Sequence, residues 1–552
     1  MKSKFKKSLS VLLAVLMIVS AFSFSVTAAN TSDNEVSAKD YHLSPNIHDG
    51  AILHCWCWSF NTIKEQLPNI AEAGFTSVQT SPINQCKVGE GGGMQLYGRG
   101  KWYYHYQPTL YTIGNYQLGT LDEFRDMCEE ADKYGIKVVV DVVANHCTGD
   151  YNLISPEIKN IPNAFHPLLE ITNGAKRYQV TQGKLSGLWD LNTANPTIQE
   201  MIKDYLQDCL DAGADGFRYD AAKHIELPNE PVEDDHEFAS DFWTNVLDND
   251  AEFQYGEILA GEKNSDRIAD YSQLMNVTAS TYGENLRSGL SNHKLYSKQV
   301  TKYTPSNIDP TKLVTWVESH DNYCNDGSYS LINNDEVRIG WAIIASKGDS
   351  TPLFFARPKN SSADNMWGDN LIGPDGNGNY YHPEVAAVNH FRNAMIGEDC
   401  TAVGIIGTDG KPDYNHTYIQ RGSKGVVIIN FTDTDFDVDT ATKLPDGEYT
   451  DEAYGRNYTV ANGKITGTVK ANTVAVIYDR GEDYGKIGDV NGDGEVDVLD
   501  AAIVQKYAAE KTDLDERQLY VADVNDDGKV DILDAIDIQK YAVEIITEFK
   551  KK

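Results

Sequence analysis

Apolar and polar positions along this chain follow two periods, and the switches between them mark out its elements. Short apolar runs, each closed by a turn signal or a charged residue, read as buried strands. They fall at 51–57, 76–80, 138–143, 216–220, 253–257, 277–280, 313–318 and 351–355. Between most of them apolar residues recur at helical spacing, as in 61–73 before Gly74, 121–134 before Gly135, and 335–346. The clearest helix starts at Asn195-Pro196 and ends at Gly213. Asparagine caps a helix, proline suits its first turn, and glycine takes the left-handed residue that closes it. Ile198, Met201, Ile202, Tyr205, Leu206, Cys209 and Leu210 keep to one face of this helix.

Strands alternating with helices over 45–395 predict a parallel α/β architecture, most economically a closed (β/α)8 TIM barrel. An open doubly wound sheet fits less well, because no glycine-rich phosphate fingerprint is present. One long connection, 147–192, reads as a short inserted loop domain. From 396 to 480 the pattern changes: 425–430 and 473–478 are strands, and Pro445-Asp446-Gly447 and Asn462-Gly463 are turns. This predicts a small antiparallel β-sandwich, followed by a linker at 481–485. The last segment, 486–548, holds a repeat. Asp489-Val-Asn-Gly-Asp-Gly-Glu-Val-Asp-Val-Leu-Asp500 returns 34 residues later as Asp523-Val-Asn-Asp-Asp-Gly-Lys-Val-Asp-Ile-Leu-Asp534. Each copy leads into a helix, expected at 501–509 and 535–543.

The amino terminus carries Lys2, Lys4, Lys6 and Lys7, then an apolar run over 9–24 and small residues at Val26-Thr-Ala-Ala29. This reads as a secretory signal peptide over 1–29, since the run is short for a membrane anchor. Residues 30–44 are polar and expected to be disordered, and no membrane insertion is expected.

Composition narrows the partners. A formal charge of −34 argues against nucleic acid, whose phosphates need clustered Lys and Arg. An acidic, secreted, calcium-binding protein fits better. The 31 tyrosines and 8 tryptophans serve a core, and the excess also suits stacking on sugar rings. Cys55, Cys57, Cys86, Cys128, Cys147, Cys209, Cys324 and Cys400 show no disulfide framework and no CxxC pair, so a zinc site is not expected.

The candidate chemistry lies at the ends of the strands, where barrel active sites are built. Arg218 and Asp220 share one strand face by the period of two, and buried charge needs a partner. Asp141, Asn145 and His146 follow the third strand, Glu257 ends the fifth, and His320 and Asp321 follow the seventh. One acid at a strand end can be a structural ion pair. Asp220, Glu257 and Asp321, each flanked by His or Arg, point to one pocket.

Asp141-Val-Val-Ala-Asn-His146, Gly216-Phe-Arg-Tyr-Asp-Ala-Ala-Lys-His224, Tyr255-Gly-Glu257 and Val317-Glu-Ser-His-Asp-Asn322 resemble the four signature stretches of the α-amylase family, in order. Gly187-Leu-Trp-Asp-Leu-Asn192 resembles its fifth. Gln79-Thr-Ser-Pro-Ile83 and 252–258 resemble a bacillar subgroup of secreted members, and the similarity covers roughly 49–478. The resemblance implies that Asp220 is a nucleophile, Glu257 a general acid/base and Asp321 a transition-state stabiliser. It implies that His146 and His320 bind hydroxyls of the reacting sugar and that Tyr106 stacks below it, with Trp102, Tyr103, Gln107 and Arg218 as neighbours. Lys223 and His224 resemble residues on the leaving-group side, although Lys223 could equally be a solvated side chain. The implied cofactor is Ca2+, held by Asn145, Asp190 and the carbonyls of Thr181 and His224, with Gly213 and Asp215 resembling a second site. Ser319 stands where some relatives carry a chloride-binding asparagine, so no chloride requirement is expected.

The terminal repeat places oxygen side chains at positions one, three, five, nine and twelve of a calcium loop, with glycine at six and a carbonyl at seven. The ligands are Asp489, Asn491, Asp493, Glu495, Asp497 and Asp500 in the first copy, and Asp523, Asn525, Asp527, Lys529, Asp531 and Asp534 in the second. Aspartate at position twelve, with no entering helix before the first loop, resembles a dockerin, which implies a cohesin domain on a scaffold as partner. Val498-Leu499 and Ile532-Leu533 are apolar where many dockerins carry Ser or Thr, so a hydrophobic partner face is expected. The sequence reading is therefore a secreted endo-acting α-amylase, cutting internal α-1,4 links of starch with retention, on a cohesin-bearing scaffold. An α-glucan transglycosylase or debranching enzyme, or a non-catalytic starch-binding scaffold subunit, are the alternatives.

Overall fold

The computed structural model describes residues 41–89, 101–167, 170–260, 266–369, 372–478, 486–509, 511–543 and 545–551. The signal-peptide reading, most of the segment expected to be disordered, and the linker at 481–485 lie outside these residues. Residues 41–44, however, are ordered: Tyr41 and Leu43 pack on the main core, and the Ser44 amide donates to Asn393 Oδ1 at 3.3 Å. Two apolar side chains outweigh the polar composition there.

The eight expected strands form a closed parallel barrel. They are β1 Ile52–His54, β2 Ser77–Gln79, β3 Lys137–Val142, β4 Gly216–Tyr219, β5 Phe253–Gly256, β6 Asn276–Thr278, β7 Leu313–Trp316 and β8 Thr351–Phe355. Most are shorter than the apolar runs that predict them. Residues at the run ends, Asp220 and Glu257 among them, leave the ladder and turn their side chains over the barrel mouth. Inward-facing Ile52, Val139, Phe253, Tyr255, Val314, Trp316 and Leu353 fill the centre below it. β4 and β5 approach closely because Gly216 faces Phe253 in register. A Cβ on Gly216 would stand 2.6 Å from the Phe253 carbonyl oxygen. Gly216→Ala is expected to force β4 and β5 apart beneath the site and to cost about 1–3 kcal/mol, read as a lowered thermal midpoint.

The outer helices start and stop as the sequence dictates. Pro196–Asp211 is capped by the Asn195 side chain, which accepts from the Thr197 amide at 3.0 Å. Gly213 follows at φ +105, and a Cβ there would meet Cys128 Cβ at 2.6 Å. Gly213 and Asp215, expected as a second calcium site, lie at the amino-terminal foot of β4. There Asp215 accepts Lys137 Nζ at 2.9 Å and the Val138 amide at 2.8 Å. These two bonds tie β3 to β4.

The β-sandwich consists of two four-stranded antiparallel sheets. Arg421 joins it to the barrel by donating to backbone carbonyls of Ser346 at 3.2 Å and Met395 at 2.6 Å. The terminal module holds helices Val498–Ala508, Glu516–Ala522 and Ile532–Ala542 around Val490, Val504, Val521, Val524 and Ile538. The two repeat helices begin three residues earlier than expected. Asp497 and Asp531 act as caps, accepting from Leu499 at 2.6 Å and Leu533 at 2.7 Å. The middle helix, too short to show a period, was not expected. All eight cysteines are free, and six of them are buried. Among the described residues no helix is long and apolar enough to cross a membrane.

Candidate active site

Arg218 is the hub. It projects from β4 with only 5% of its side chain exposed. Its Nη1 donates to Asp141 at 2.7 and 2.9 Å and to Asp220 Oδ1 at 2.9 Å, and its Nη2 lies 2.7 Å from Glu257 Oε1. One guanidinium therefore touches acids from the ends of β3, β4 and β5. Its fork of fixed donors suits that task, as a lysine's single point charge would not. Ala221, in the left-handed region at φ +49, turns its amide back to donate to Glu257 Oε2 at 3.0 Å. The chain thus reverses directly after Asp220 and uses the turn to fix Glu257. Asp321, at the start of the helix His320–Cys324, completes the group with a hydrogen bond to Glu257.

Crowding shapes the protonation of these acids. Burial pushes Asp141 up to about 7 against the pull of Arg218. Asp220 is raised by burial and held back by the same arginine. Asp321 rises well above the usual carboxylate range, through burial first and then the negative charges of Glu257 and Asp220. Burial and mutual repulsion thus favour retention of protons on Asp141, Asp220 and Asp321 against the pull of Arg218.

Aromatic rings wall the acids. Tyr106 donates to Asp141 Oδ2 at 2.9 Å, and its ring stacks on His320 with centroids 5.1 Å apart. Trp102 stands edge-on to His320 and Tyr106, at 5.4 and 5.9 Å. Tyr103 packs edge-on against Trp102 at 6.0 Å and is 39% exposed, while the Gln107 side-chain oxygen accepts from Thr148 at 3.0 Å. His320 Nε2 lies 3.5 Å from Asp321, and burial lowers its pKa well below the usual imidazole range. His146 differs from expectation. Its Nε2 meets the Tyr106 carbonyl at 3.1 Å and its Nδ1 meets the Asn145 amide at 3.3 Å. Both nitrogens are spent within the protein, so His146 holds Tyr106 in place instead of offering a free donor for a sugar hydroxyl. Lys223 is half-buried, and burial lowers its pKa, so it is not a freely solvated lysine.

Among the expected calcium ligands, Asn145 and Asp190 are in contact. Asn145 Nδ2 donates to Asp190 Oδ1 at 3.3 Å across the small ribbon His146–Cys147/Trp189–Asp190. His224 Nδ1 meets the carbonyl of Val180, the residue before Thr181, at 2.8 Å. Asn145, Asp190, Thr181 and His224 are all buried. Burial drives Asp190 well above the usual range, and its ion-pair partner is His166 at 2.7 Å, itself kept towards neutrality by burial. Carboxylate, amide and backbone carbonyl oxygens of these residues are the mixed donor types a hard divalent ion takes.

Three groups escaped the sequence reading. Trp56 at the end of β1, 5.5 Å from Trp102, could have been found by the strand-end rule. His166 and Glu226, 3.4 Å apart behind Asp190, lie in connections without periodicity. Arg177 and Glu230 behind Lys223 carry no sequence signal at all. Ser319 caps its helix by accepting from the Asn322 amide at 3.3 Å.

A closed parallel barrel whose mouth gathers an arginine, a ring wall and acids from several strand ends has the architecture of a barrel-class active site. Residues 56–167 and 170–349 match the alpha amylase catalytic domain, and 413–480 match the alpha amylase C-terminal all-beta domain. The chain belongs to the α-amylase family. Residues 487–541 match the dockerin type I domain. An alpha-amylase of Butyrivibrio fibrisolvens is 41% identical over 83% of this chain and 50% of its own length. One of Clostridium acetobutylicum is 35% identical over 88% of this chain and 61% of its own length. The chain thus spans between half and two-thirds of these relatives. Alpha-amylase I from Eisenia fetida shares the fold, with a TM-score of 0.65 at 20% identity over 78% of this chain and 97% of that one.

Proposed function

We propose that this protein is a secreted, endo-acting α-amylase that hydrolyses internal α-1,4-glucosidic bonds of starch and malto-oligosaccharides with retention, and that its dockerin mounts it on a cohesin-bearing scaffold. The observation that carries the reading is the shared contact of Asp220 and Glu257 with Arg218, at 2.9 and 2.7 Å. A retaining glycosidase needs two such carboxyls on one anomeric carbon, one to attack and one to give its proton to the leaving oxygen. In this assignment Asp220 attacks and a covalent glycosyl ester forms as Glu257 protonates the departing sugar. Glu257 then takes a proton from water, which opens the ester. Asp321 faces the positive charge that develops on the sugar, and Tyr106 and Trp102 give its ring an apolar bed.

Calcium is proposed at Asn145, Asp190, Thr181 O and His224 O, where it would tie the inserted segment to the barrel. It is also proposed in both dockerin loops. Gly494 and Gly528, at position six, take φ +90 and +78, the sharp turn such a loop requires. Asp500 and Asp534 are fully buried and accept the loops' own amides, with Val490 N at 2.8 Å and Asn525 N at 3.3 Å. Val498, Leu499, Ile532 and Leu533 are 55, 58, 49 and 54% exposed, two like apolar pairs that support a hydrophobic cohesin face.

The test is product analysis on soluble starch and pullulan. Viscosity should collapse while few reducing ends have formed, and the first products should carry the α-anomer. Dominant chain transfer, or release only at α-1,6 links, would overturn the reading.

A further inference from the structure

We propose that Arg177 is a positioning residue for this reaction: through Glu230 and three loops, it fixes the segment that carries the acid/base's hydrogen-bond donor and the acceptor-side lysine. The inference rests on the function proposed above and concerns residues outside the acid cluster.

Arg177 opens the short helix Arg177–Gln182 of the inserted segment, and only 6% of its side chain is exposed. Its guanidinium donates to the Lys223 carbonyl, to the Ile225 carbonyl at 3.2 Å and to the Tyr271 hydroxyl. Tyr271 in turn donates to the Ile225 carbonyl. The charge is balanced by Glu230, fully buried, at 2.8 Å from Nε and 2.7 Å from Nη2. Glu230 also accepts the Leu227 amide at 3.1 Å and Arg267 Nη1 at 2.9 Å. One buried pair therefore binds together the inserted segment, the loop after β4 and the chain after β5.

The loop after β4 carries the consequence. It begins at Asp220, reverses at Ala221, whose amide holds Glu257, and continues through Lys223 to the two carbonyls that Arg177 grips. Without that grip, the three-residue turn Ala222–His224 has no side-chain cap of its own. A residue that touches neither sugar nor the acid cluster on Arg218 thus sets where the proton donor and the acceptor-side lysine stand.

The test uses the full chain in saturating calcium. Arg177→Gln and Glu230→Gln are assayed on soluble starch and on a defined maltoheptaose, with added maltose as competing acceptor. Active sites are counted by trapping with a fluorinated maltosyl fluoride. Misplacing a reacting group by about 1 Å costs on the order of 100-fold, so kcat per trapped site should fall ~30- to 100-fold in Arg177→Gln, with KM within about three-fold. The share of sugar transfer against hydrolysis should change as well. Glu230→Gln should move both readouts the same way by less. Arg177→Lys should not rescue, because one ammonium cannot reach two carbonyls and a carboxylate together. If both glutamine variants keep kcat per trapped site within about two-fold and lose only thermal stability, the residue is merely structural and the proposal falls. If Arg177→Gln does not fold, Glu230→Gln decides alone. A wild-type protein that fails to cleave starch would instead overturn the function on which the inference rests.

Discussion

Asp220→Ala should lose about 10,000-fold or more in kcat on starch while the protein stays folded. No other carboxyl on Arg218 can take over the attack. Asp141 is fully buried and already receives Arg218 and Tyr106, and Glu257 is held by the Ala221 amide. The cost in stability should be small. Removing one partner of a buried pair is severe when it strands a charge. Here Arg218 keeps Asp141 and Glu257, at 2.7 Å each, and the change relieves repulsion between negative neighbours. The thermal midpoint should stay within about 5 °C of the parent. Glu257→Gln separates the two roles. It should be crippled on starch, whose leaving oxygen needs a proton, and far less so on an aryl glycoside that departs without one. Retained starch hydrolysis by Asp220→Ala, or equal losses of Glu257→Gln on both substrates, would contradict the assignment.

The second large effect is expected in the terminal module. Replacing Asp500 and Asp534 together by Ala should abolish capture by a cohesin, with at least ~100-fold weaker binding, and leave starch hydrolysis unchanged. Each carboxylate occupies position twelve of its loop. Asp500 accepts the amides of Val490 at 2.8 Å, Asn491 at 2.9 Å and Asp497 at 2.9 Å, and Asp534 accepts that of Asp531 at 2.9 Å. Loss of both removes the closing residue of each loop and the second half of the capping box that Asp497 and Asp531 begin at each helix, and small calcium modules fold only as their ligands assemble. The helices would then no longer present Val498-Leu499 and Ile532-Leu533. Titration calorimetry with a cohesin that binds the parent provides the check, alongside a starch assay. Undiminished binding, or lost hydrolysis, would refute this division of labour.

How much of this was legible follows from how the signals arise. Barrel strands buried on both faces write themselves as apolar runs, and the acids that interrupt or end those runs stand out against them. Asp220, Glu257 and Asp321 were visible for that reason. The proposed calcium loops were visible because oxygen-bearing side chains recur at fixed offsets in both copies of the repeat. The roles of Arg218's neighbours were harder: that His146 spends both nitrogens on Asn145 and Tyr106 depends on ring orientation, which no spacing encodes. That Asp215 ties β3 to β4 from the foot of a strand was not legible either, since a carboxylate there looks the same in sequence as one at the top. Arg177 and Glu230 meet from segments 53 residues apart, in connections with no periodicity, and only the folded chain brings them together.

The eight unpaired thiols carry a last consequence. Because no covalent cross-link braces the barrel, the sandwich or the terminal module, nothing in the fold waits on an oxidant. The native form of such a chain rests on close packing and on buried ion pairs such as those of Arg218 and Arg177.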